Sequence, residues 1–460
     1  MHFHRPLLFR SSLRSIVVLG AFALVTTQAA KAEALLLVEA ESGKVLQAEN
    51  ATYPWYPASV TKLMTAYVTL KAVKEGRVTL DTLVTVSPTA ASQSPSKMGF
   101  KPGTQVTVDN APKMMLVKSA NDMAVVLAEG VGGSIDGFSA LMNQNAQRLG
   151  MTQTSYVNPN GLPADGQITS ARDLAILARA IIKDLPEYEY FVHIPSIRYG
   201  RRITQNFNKL IGRYPGADGF KTGFICAAGY NLVASATRNG KRLIAVVLGA
   251  SSGQARAVKA IQLLDRGFSN DQLSWLKPSL GTVDALAPID ASPPDLRDEM
   301  CNGKRHRPAS DEDQDTTAAN GGAAGTSPAL AFFATGQAPA LKPSELLAAA
   351  PAASEPIPVY TGPTRSGPAL IAAVAADVAA DDAAAAARRH GKKTRHAGKR
   401  PPEAGADDAT AKSASSKQAK HASAKPDAKT ADKPAAGDKA AKPKAAAKPA
   451  KPKNSDAKNS

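Results

Sequence analysis

Ser59 and Lys62, in the run Ser59-Val60-Thr61-Lys62, can form a complete nucleophile–base pair, because residues three apart on a helix share one face. A serine hydroxyl attacks poorly at neutral pH unless a base lies beside it. Behind Pro57 and Ala58, the residues Val60, Leu63, Met64, Tyr67 and Leu70 recur at helical spacing. A helix is therefore expected to carry the pair and to end near Gly76. Two further clusters follow at wide intervals, Ser119-Ala120-Asn121 and Lys221-Thr222-Gly223. Alone, the first reads as a helix N-cap and the second as a strand end. In one chain with Ser59 and Lys62 they read as a catalytic set.

The histidines leave little room for a Ser-His-Asp triad. Of the seven, His2 and His4 fall in an N-terminal signal, and His306, His390, His396 and His421 fall far downstream. His193 remains, and it reads as a surface or structural residue. Lysine must then serve as the base, so Lys62 has to shed its proton near neutral pH. Burial or a neighbouring cation achieves that, and Lys221 is the natural neighbour. Cys226 has no histidine near it in sequence, and it and Cys301 are expected to be unpaired.

The elements that must position these groups are legible in outline. A strand at Ala34–Glu39, a turn at 41–44 and a second strand from Val45 open the domain. Helices are expected over 114–129, 138–149 and 171–182, with Gly130 and Gly150 as stops. Strands follow over 220–224, 231–237 and 242–249. Asn239-Gly240 signals a two-residue hairpin between the last two, and a helix over 253–268 packs back on the sheet. Helices set between an early strand pair and a late antiparallel group predict an α+β layered fold.

Composition divides the 460 residues unevenly. Arg5, Arg10 and Arg14, an apolar core over 16–25 and Ala30-Lys31-Ala32 make a secretory signal, with cleavage expected before Glu33. Its apolar core of about ten residues falls well short of the ~20 that span a membrane. The expected segments are a signal over 1–32, a catalytic domain over 33–269, a low-complexity linker over 270–387 and a disordered basic tail over 388–460. That tail carries 20 Lys and Arg against 7 Asp and Glu, a net +13 of the chain's +17. It holds almost nothing large and apolar to offset its ordering entropy. Such a charge suits loose contact with an anionic envelope surface. No helix-turn-helix, zinc-finger or RNA-binding signature accompanies it, so nucleic acid is not an expected partner.

The clusters are joined by Asn158-Pro159-Asn160-Gly161-Leu162, Thr169-Ser170-Ala171-Arg172-Asp173, Asp218-Gly219-Phe220 directly before Lys221, and the run from Gly229 to Ala236. Over about residues 34–268 the chain resembles the serine-type D-alanyl-D-alanine carboxypeptidases, the low-molecular-weight penicillin-binding proteins of peptidase family S11. The resemblance implies a β-lactamase/transpeptidase-like fold, with an antiparallel sheet flanked by helices. It implies hydrolysis of the terminal D-Ala-D-Ala bond of peptidoglycan pentapeptides through a Ser59 acyl-enzyme, in the periplasm, with β-lactams as inhibitors and no metal or organic cofactor. Ser119 would relay a proton to the departing D-alanine, and Asn121 would orient Lys62 and the substrate amide. The amides of Ser59 and Phe224 would form the oxyanion hole. Lys221 and Thr222, with Gly223 beside them on the strand, would hold the terminal carboxylate. Arg256 stands where a family arginine contacts that carboxylate, and Phe207 replaces a second one. The best-known members also carry a β-rich second domain and a terminal amphipathic helix, neither of which is legible here.

Three other functions share parts of this pattern. A D,D-endopeptidase uses the same motifs. A class A β-lactamase needs a glutamate in a Glu-x-x-Leu-Asn loop, and Glu187 and Glu189, within Pro186-Glu187-Tyr188-Glu189-Tyr190, do not match it. A cell-wall-binding protein with a relict site would have no need of intact motifs.

Overall fold

The computed structural model describes residues 1–2, 33–269, 278–302, 341–379 and 382–383. The expected signal from residue 3 onward and the basic tail lie outside the described residues. The chain opens with β1 (Ala34–Glu39) and β2 (Val45–Glu49), followed by a 3-10 turn at Ala58–Thr61 that runs into α1 (Lys62–Lys74). A small hairpin-like pair, β3 (Leu83–Thr85) and β4 (Gln105–Thr107), brackets α2 (Pro88–Ser92). Helices α3 (Asn110–Val117), α4 (Asn121–Gly132), α5 (Ile135–Arg148), α6 (Ala171–Asp184) and the short α7 (Tyr190–His193) come next. The antiparallel pair β5 (Ser196–Tyr199) and β6 (Arg202–Gln205) leads to β7 (Ala217–Ile225), β8 (Gly229–Arg238), β9 (Lys241–Ala250) and α8 (Gly253–Phe268).

Five strands form one antiparallel sheet in the order β2-β1-β9-β8-β7, which bears out the α+β layered expectation. Both faces are covered, and β9 shows it. Ile244, Val246 and Leu248 pack into the core beneath the helices, while Leu243, Ala245 and Val247 meet α8 on the other side. Successive strand side chains point to opposite faces, so a continuous apolar run is what a doubly covered strand requires. Asn239 and Gly240 turn β8 into β9 with φ of +51° and +75°, and Arg238 pairs with Lys241. That backbone is the two-residue turn whose twist matches the strands. At the far end of the order, β7 is the edge strand among the described residues.

Three expectations are corrected. The helix expected over 114–129 is two helices, broken at Lys118-Ser119-Ala120, where Ser119 adopts φ +62°. Apolar periodicity runs straight through this break; the loop before it supplies the reason, because Asn121 N–H donates to the Ser96 carbonyl at 2.7 Å and Ser96 Oγ to the Lys118 carbonyl at 2.6 Å. Cys226 and Cys301 are bonded to each other, with Cα atoms 5.7 Å apart, where unpaired thiols were expected. The third correction concerns the stretch expected to be linker. Within it, Arg297–Met300 (α9) buries Leu296 and Met300 beside the β7–β8 turn. Pro343–Ala348 (α10) buries Leu347 against the α8 side, and Ile357–Pro358 (β10) pairs in parallel with β5. A few apolar anchors suffice to dock segments that are otherwise Pro- and Ala-rich. Among the described residues no single helix is long and apolar enough to cross a membrane.

Candidate active site

Ser59 lies in the 3-10 turn and Lys62 opens α1, so the pair spans a helix junction where a single regular helix was expected. Their separation is what the chemistry needs: Lys62 Nζ lies 2.9 Å from Ser59 Oγ. Lys62 is fully buried and also meets Asn121 Oδ1 and the Asn160 carbonyl, each at 2.7 Å. A neutral amine has two N–H groups and one lone pair. With both N–H groups given to Asn121 and Asn160, the lone pair faces the Ser59 hydroxyl.

The electrostatics favour that neutral form. Burial holds Lys62 well below the ordinary lysine pKa, the charge of Lys221 lowers it further, and Asp122 opposes both. Asp122 is itself buried, its carboxylate accepting the N–H groups of Met98 at 3.1 Å, Gly99 at 2.9 Å and Met123 at 2.9 Å. Asn121 Nδ2 donates to the Ser94 carbonyl at 2.9 Å, which turns its oxygen toward Lys62. The 94–99 loop thus sets Asn121 and Asp122 together, and Ser119 sits two residues earlier, in the break between α3 and α4.

A second loop, Asn158 to Gly161, clamps the other side of α1. Thr65 Oγ1 donates to the Pro159 carbonyl at 2.6 Å. Gln167 accepts the N–H groups of Val157 at 2.7 Å and Asn158 at 3.1 Å, and its Nε2 reaches Thr61 Oγ1 at 3.1 Å. Gly161 has φ +81°, and a Cβ there would stand 1.8 Å from the Ala58 carbonyl oxygen, so only glycine lets the loop come close enough for Asn160 to reach Lys62. Asn160 was visible in the sequence as part of a motif but carried no role there.

β7 brings Lys221, Thr222, Gly223 and Phe224 alongside. Lys221 and Thr222 are buried, and Lys221 Nζ donates to the Thr222 carbonyl at 3.0 Å. A Cβ on Gly223 would lie 2.8 Å from the Ser59 nitrogen, which measures how tightly the strand abuts the nucleophile turn. Phe224 packs its ring on Tyr230, 4.3 Å between centroids. Asn231, on the neighbouring strand, ties the sheet to the approach to Ser59: its amide donates to the carbonyls of Tyr56 at 3.0 Å and Pro57 at 3.1 Å and accepts Gly249 N–H at 3.1 Å. Nothing in the sequence beyond motif membership marked it.

Arg256, expected to contact the substrate's terminal carboxylate, lies on α8. It is buried, with Nη1 3.4 Å from the Gly223 carbonyl and 3.5 Å from that of Asn231, and its guanidinium lies 5.5 Å from the Tyr230 ring. In this position it braces the backbone of β7 and β8 from α8. Phe207 is buried. His193 lies 3.0 Å from Glu189, and Glu189 also binds Arg242, so His193 belongs to a structural polar network. Among the described residues no group of three or more His, Cys, Asp or Glu side chains could hold a metal ion.

Residues 22–252 match the family model described as D-alanyl-D-alanine carboxypeptidase, peptidase S11. The chain is 42% identical over 245 residues to D-alanyl-D-alanine carboxypeptidase DacC of Escherichia coli (strain K12), covering 52% of this chain and 61% of that one. It is 39% identical over 272 residues to DacA of Haemophilus influenzae, covering 56% and 69%. Among solved structures it resembles the D-alanyl-D-alanine carboxypeptidase DacD from Francisella tularensis, with TM-score 0.51, 32% identity and coverage of 51% and 70%. It also resembles penicillin binding protein 5 from Haemophilus influenzae, with TM-score 0.50, 38% identity and the same coverage, 51% and 70%. The chain spans about three-fifths of the length of several curated relatives it matches.

Proposed function

We propose that this chain, which belongs to the D-alanyl-D-alanine carboxypeptidase family, peptidase S11, removes the terminal D-alanine from peptidoglycan stem pentapeptides through an acyl-enzyme on Ser59. The observation that carries the reading is the contact of Ser59 Oγ with the buried amine of Lys62. Neutral Lys62 takes the hydroxyl proton as Ser59 attacks the D-Ala-D-Ala carbonyl. The Ser59 and Phe224 amides receive the developing oxyanion. Ser119 passes the proton to the departing amine. Asn121, with one amide N–H already given to Ser94, has a second for the substrate's carbonyl. Lys221 and Thr222 hold the terminal carboxylate, and the substrate backbone adds to the edge of β7. Water then releases the shortened peptide. β-Lactams, whose amide resembles the dipeptide, acylate the same serine.

Mass spectrometry of a muropeptide mixture, before and after adding the protein, tests this. Monomeric pentapeptides are expected to lose one alanine. Conversion of cross-linked dimers to monomers, with pentapeptides untouched, would replace the carboxypeptidase by an endopeptidase.

The reading also places the protein outside the inner membrane, with the signal at 1–32 directing export to the periplasm. The basic tail over 388–460 supplies loose retention at peptidoglycan carboxylates or acidic lipid headgroups. Each lysine near such a surface adds at most about 1 kcal/mol, screened beyond roughly 8 Å at physiological salt. Truncation after residue 387 is expected to leave turnover of a small soluble D-Ala-D-Ala peptide unchanged while reducing salt-sensitive pelleting with isolated sacculi. Equal pelleting of both forms at low salt would reduce the tail to a spacer.

A further inference from the structure

The excursion over residues 87–103, between β3 and β4, supplies the bonds that set Asn121 and Asp122. Val86 N–H donates to the Thr104 carbonyl and Gly103 N–H to the Val86 carbonyl, each at 2.8 Å, which closes the excursion at its base. Beyond that base, the Ser94 and Ser96 carbonyls hold the Asn121 side chain and backbone N–H, and the Met98 and Gly99 amides hold Asp122. Ser94, Pro95 and Gly99 are exposed, so this stretch has little burial of its own to fix it. Phe100 meets Tyr199 of β5 edge-on, 5.2 Å between ring centroids. β5 also packs on α3, the helix that ends two residues before Ser119.

A segment far downstream ties these supports together. β10 sets Ile357 beside Ile197 and Pro358 beside Arg198, and Val359 N–H donates to the Arg198 carbonyl at 2.9 Å. Gly362 N–H then donates to the Gln105 carbonyl at 2.7 Å, and Thr364 Oγ1 donates to the Asp81 carboxylate. Gln105 opens β4, next to the bonds that close the excursion. Val359 and Tyr360 are buried, and Tyr360 OH accepts Arg365 N–H at 3.1 Å, so the crossing from β5 to β4 is both packed and bonded to itself. Upstream, Ala352 N–H donates to the Gly212 carbonyl at 2.6 Å and Arg213 Nε to the Ala349 carbonyl at 2.9 Å. Residues 349–364 lie outside the stretch over 22–252 that matches the family.

We infer that residues 357–364 are a positioning strap for acylation: by joining β5 to Gln105 they hold the 94–100 stretch, and through it Asn121, against Lys62. A stretch tethered only at its base would have to be ordered against its own backbone entropy. The strap offsets that cost by fixing the two supports on which the stretch rests. Merely covering the edge of β5 would need β10 alone. The bonds from Gly362 to Gln105 and from Thr364 to Asp81 reach past β5 to the base of the excursion, and they carry the inference. What Asn121 does for the reaction rests on the carboxypeptidase reading; the mechanical link does not.

Two full-length variants release the strap in different ways. Val359→Asp puts an unpaired charge in a buried site, and Gly362→Pro removes the N–H given to Gln105 at a φ of +85° that proline cannot adopt. Peptide-resolved hydrogen exchange should then run about tenfold faster over 94–100, the scale of one or two lost hydrogen bonds, with β8 and β9 unchanged. The penicillin acylation rate at saturation should fall about ten- to a hundredfold, the scale of misplacing a group by about 1 Å. The half-saturating concentration should hardly move, because Lys221 and Thr222 stay in place on β7. Val359→Ala keeps the backbone bonds and should keep most of the wild-type rate. In the wild-type protein, exchange over 94–100 should be no faster than over 357–364. Fast exchange over 94–100 beside a protected 357–364 would overturn the strap. So would a wild-type acylation rate in a folded variant whose strap exchanges freely. Absence of acylation in the wild-type protein would remove the carboxypeptidase reading and leave the exchange comparison to decide the strap.

Discussion

Ser59→Ala is expected to end covalent labelling by penicillin and to cut D-alanine release by about a millionfold, the scale seen when a serine nucleophile is removed. On the proposed reading the acyl bond forms at Ser59 Oγ, the hydroxyl that stands 2.9 Å from the Lys62 amine. The fold should survive. Lys62 keeps its bonds to Asn121 and to the Asn160 carbonyl, and one lost hydrogen bond costs about 1 kcal/mol against a typical stability of about 5–15. Intact-protein mass after incubation with a β-lactam gives the answer, with a thermal melt to show that the variant is folded. A penicilloyl mass shift as large as that of the wild type would place the nucleophile elsewhere.

Much of this site could be read from the chain because its groups sit in short local motifs. Ser59 and Lys62 are three residues apart, and Lys221 to Phe224 lie on one strand, so their spacing records their geometry. The strands and the last helix were legible for a related reason: β9 is a continuous apolar run set off by the Asn239-Gly240 turn, and Gly253–Phe268 follows a serine cap, Ser252, which accepts Ala255 N–H. What sequence did not show depends on contacts between distant segments. The bond from Lys62 to the Asn160 carbonyl spans 98 residues, and those from Asn231 to Tyr56 and Pro57 span 175 and 174. Backbone carbonyls leave no mark in side-chain chemistry, so Ser94 and Asn160 could not announce their parts. The break at Ser119 was hidden by apolar residues that suit one helix or two equally. The Cys226–Cys301 bond was missed because Cys301 lies in a polar stretch with little local pattern, and only the docking of Leu296 and Met300 brings it to the sheet.

Lys62→Arg separates a base from a mere charge. Arginine is as positive as lysine and nearly as long, but guanidinium does not lose its proton near neutral pH and cannot accept one from Ser59. Acylation is expected to fall at least a thousandfold, toward the upper part of the range general bases contribute. The arginine also brings a permanent charge into a fully buried position beside Lys221, so a lower melting temperature is expected. Lys62→Met therefore serves as the second variant, because it is neutral and similar in length, and it should remain folded while acylating no better than the arginine form. The pH profile gives an independent reading. In the folded protein the Lys62 pKa lies well below its unfolded value, through burial first and Lys221 second. As pH falls through that folded pKa the amine protonates, and acylation should drop about tenfold per pH unit. The stability term has the same sign. Between the folded and unfolded pKa values the unfolded chain binds more protons, so the fold gains stability as pH rises through the window and loses it as pH falls. Lys62→Met should abolish this contribution to the pH dependence of unfolding. Substantial acylation at pH 7 by either folded variant would make Lys62 an electrostatic partner and leave Ser59 in need of another base.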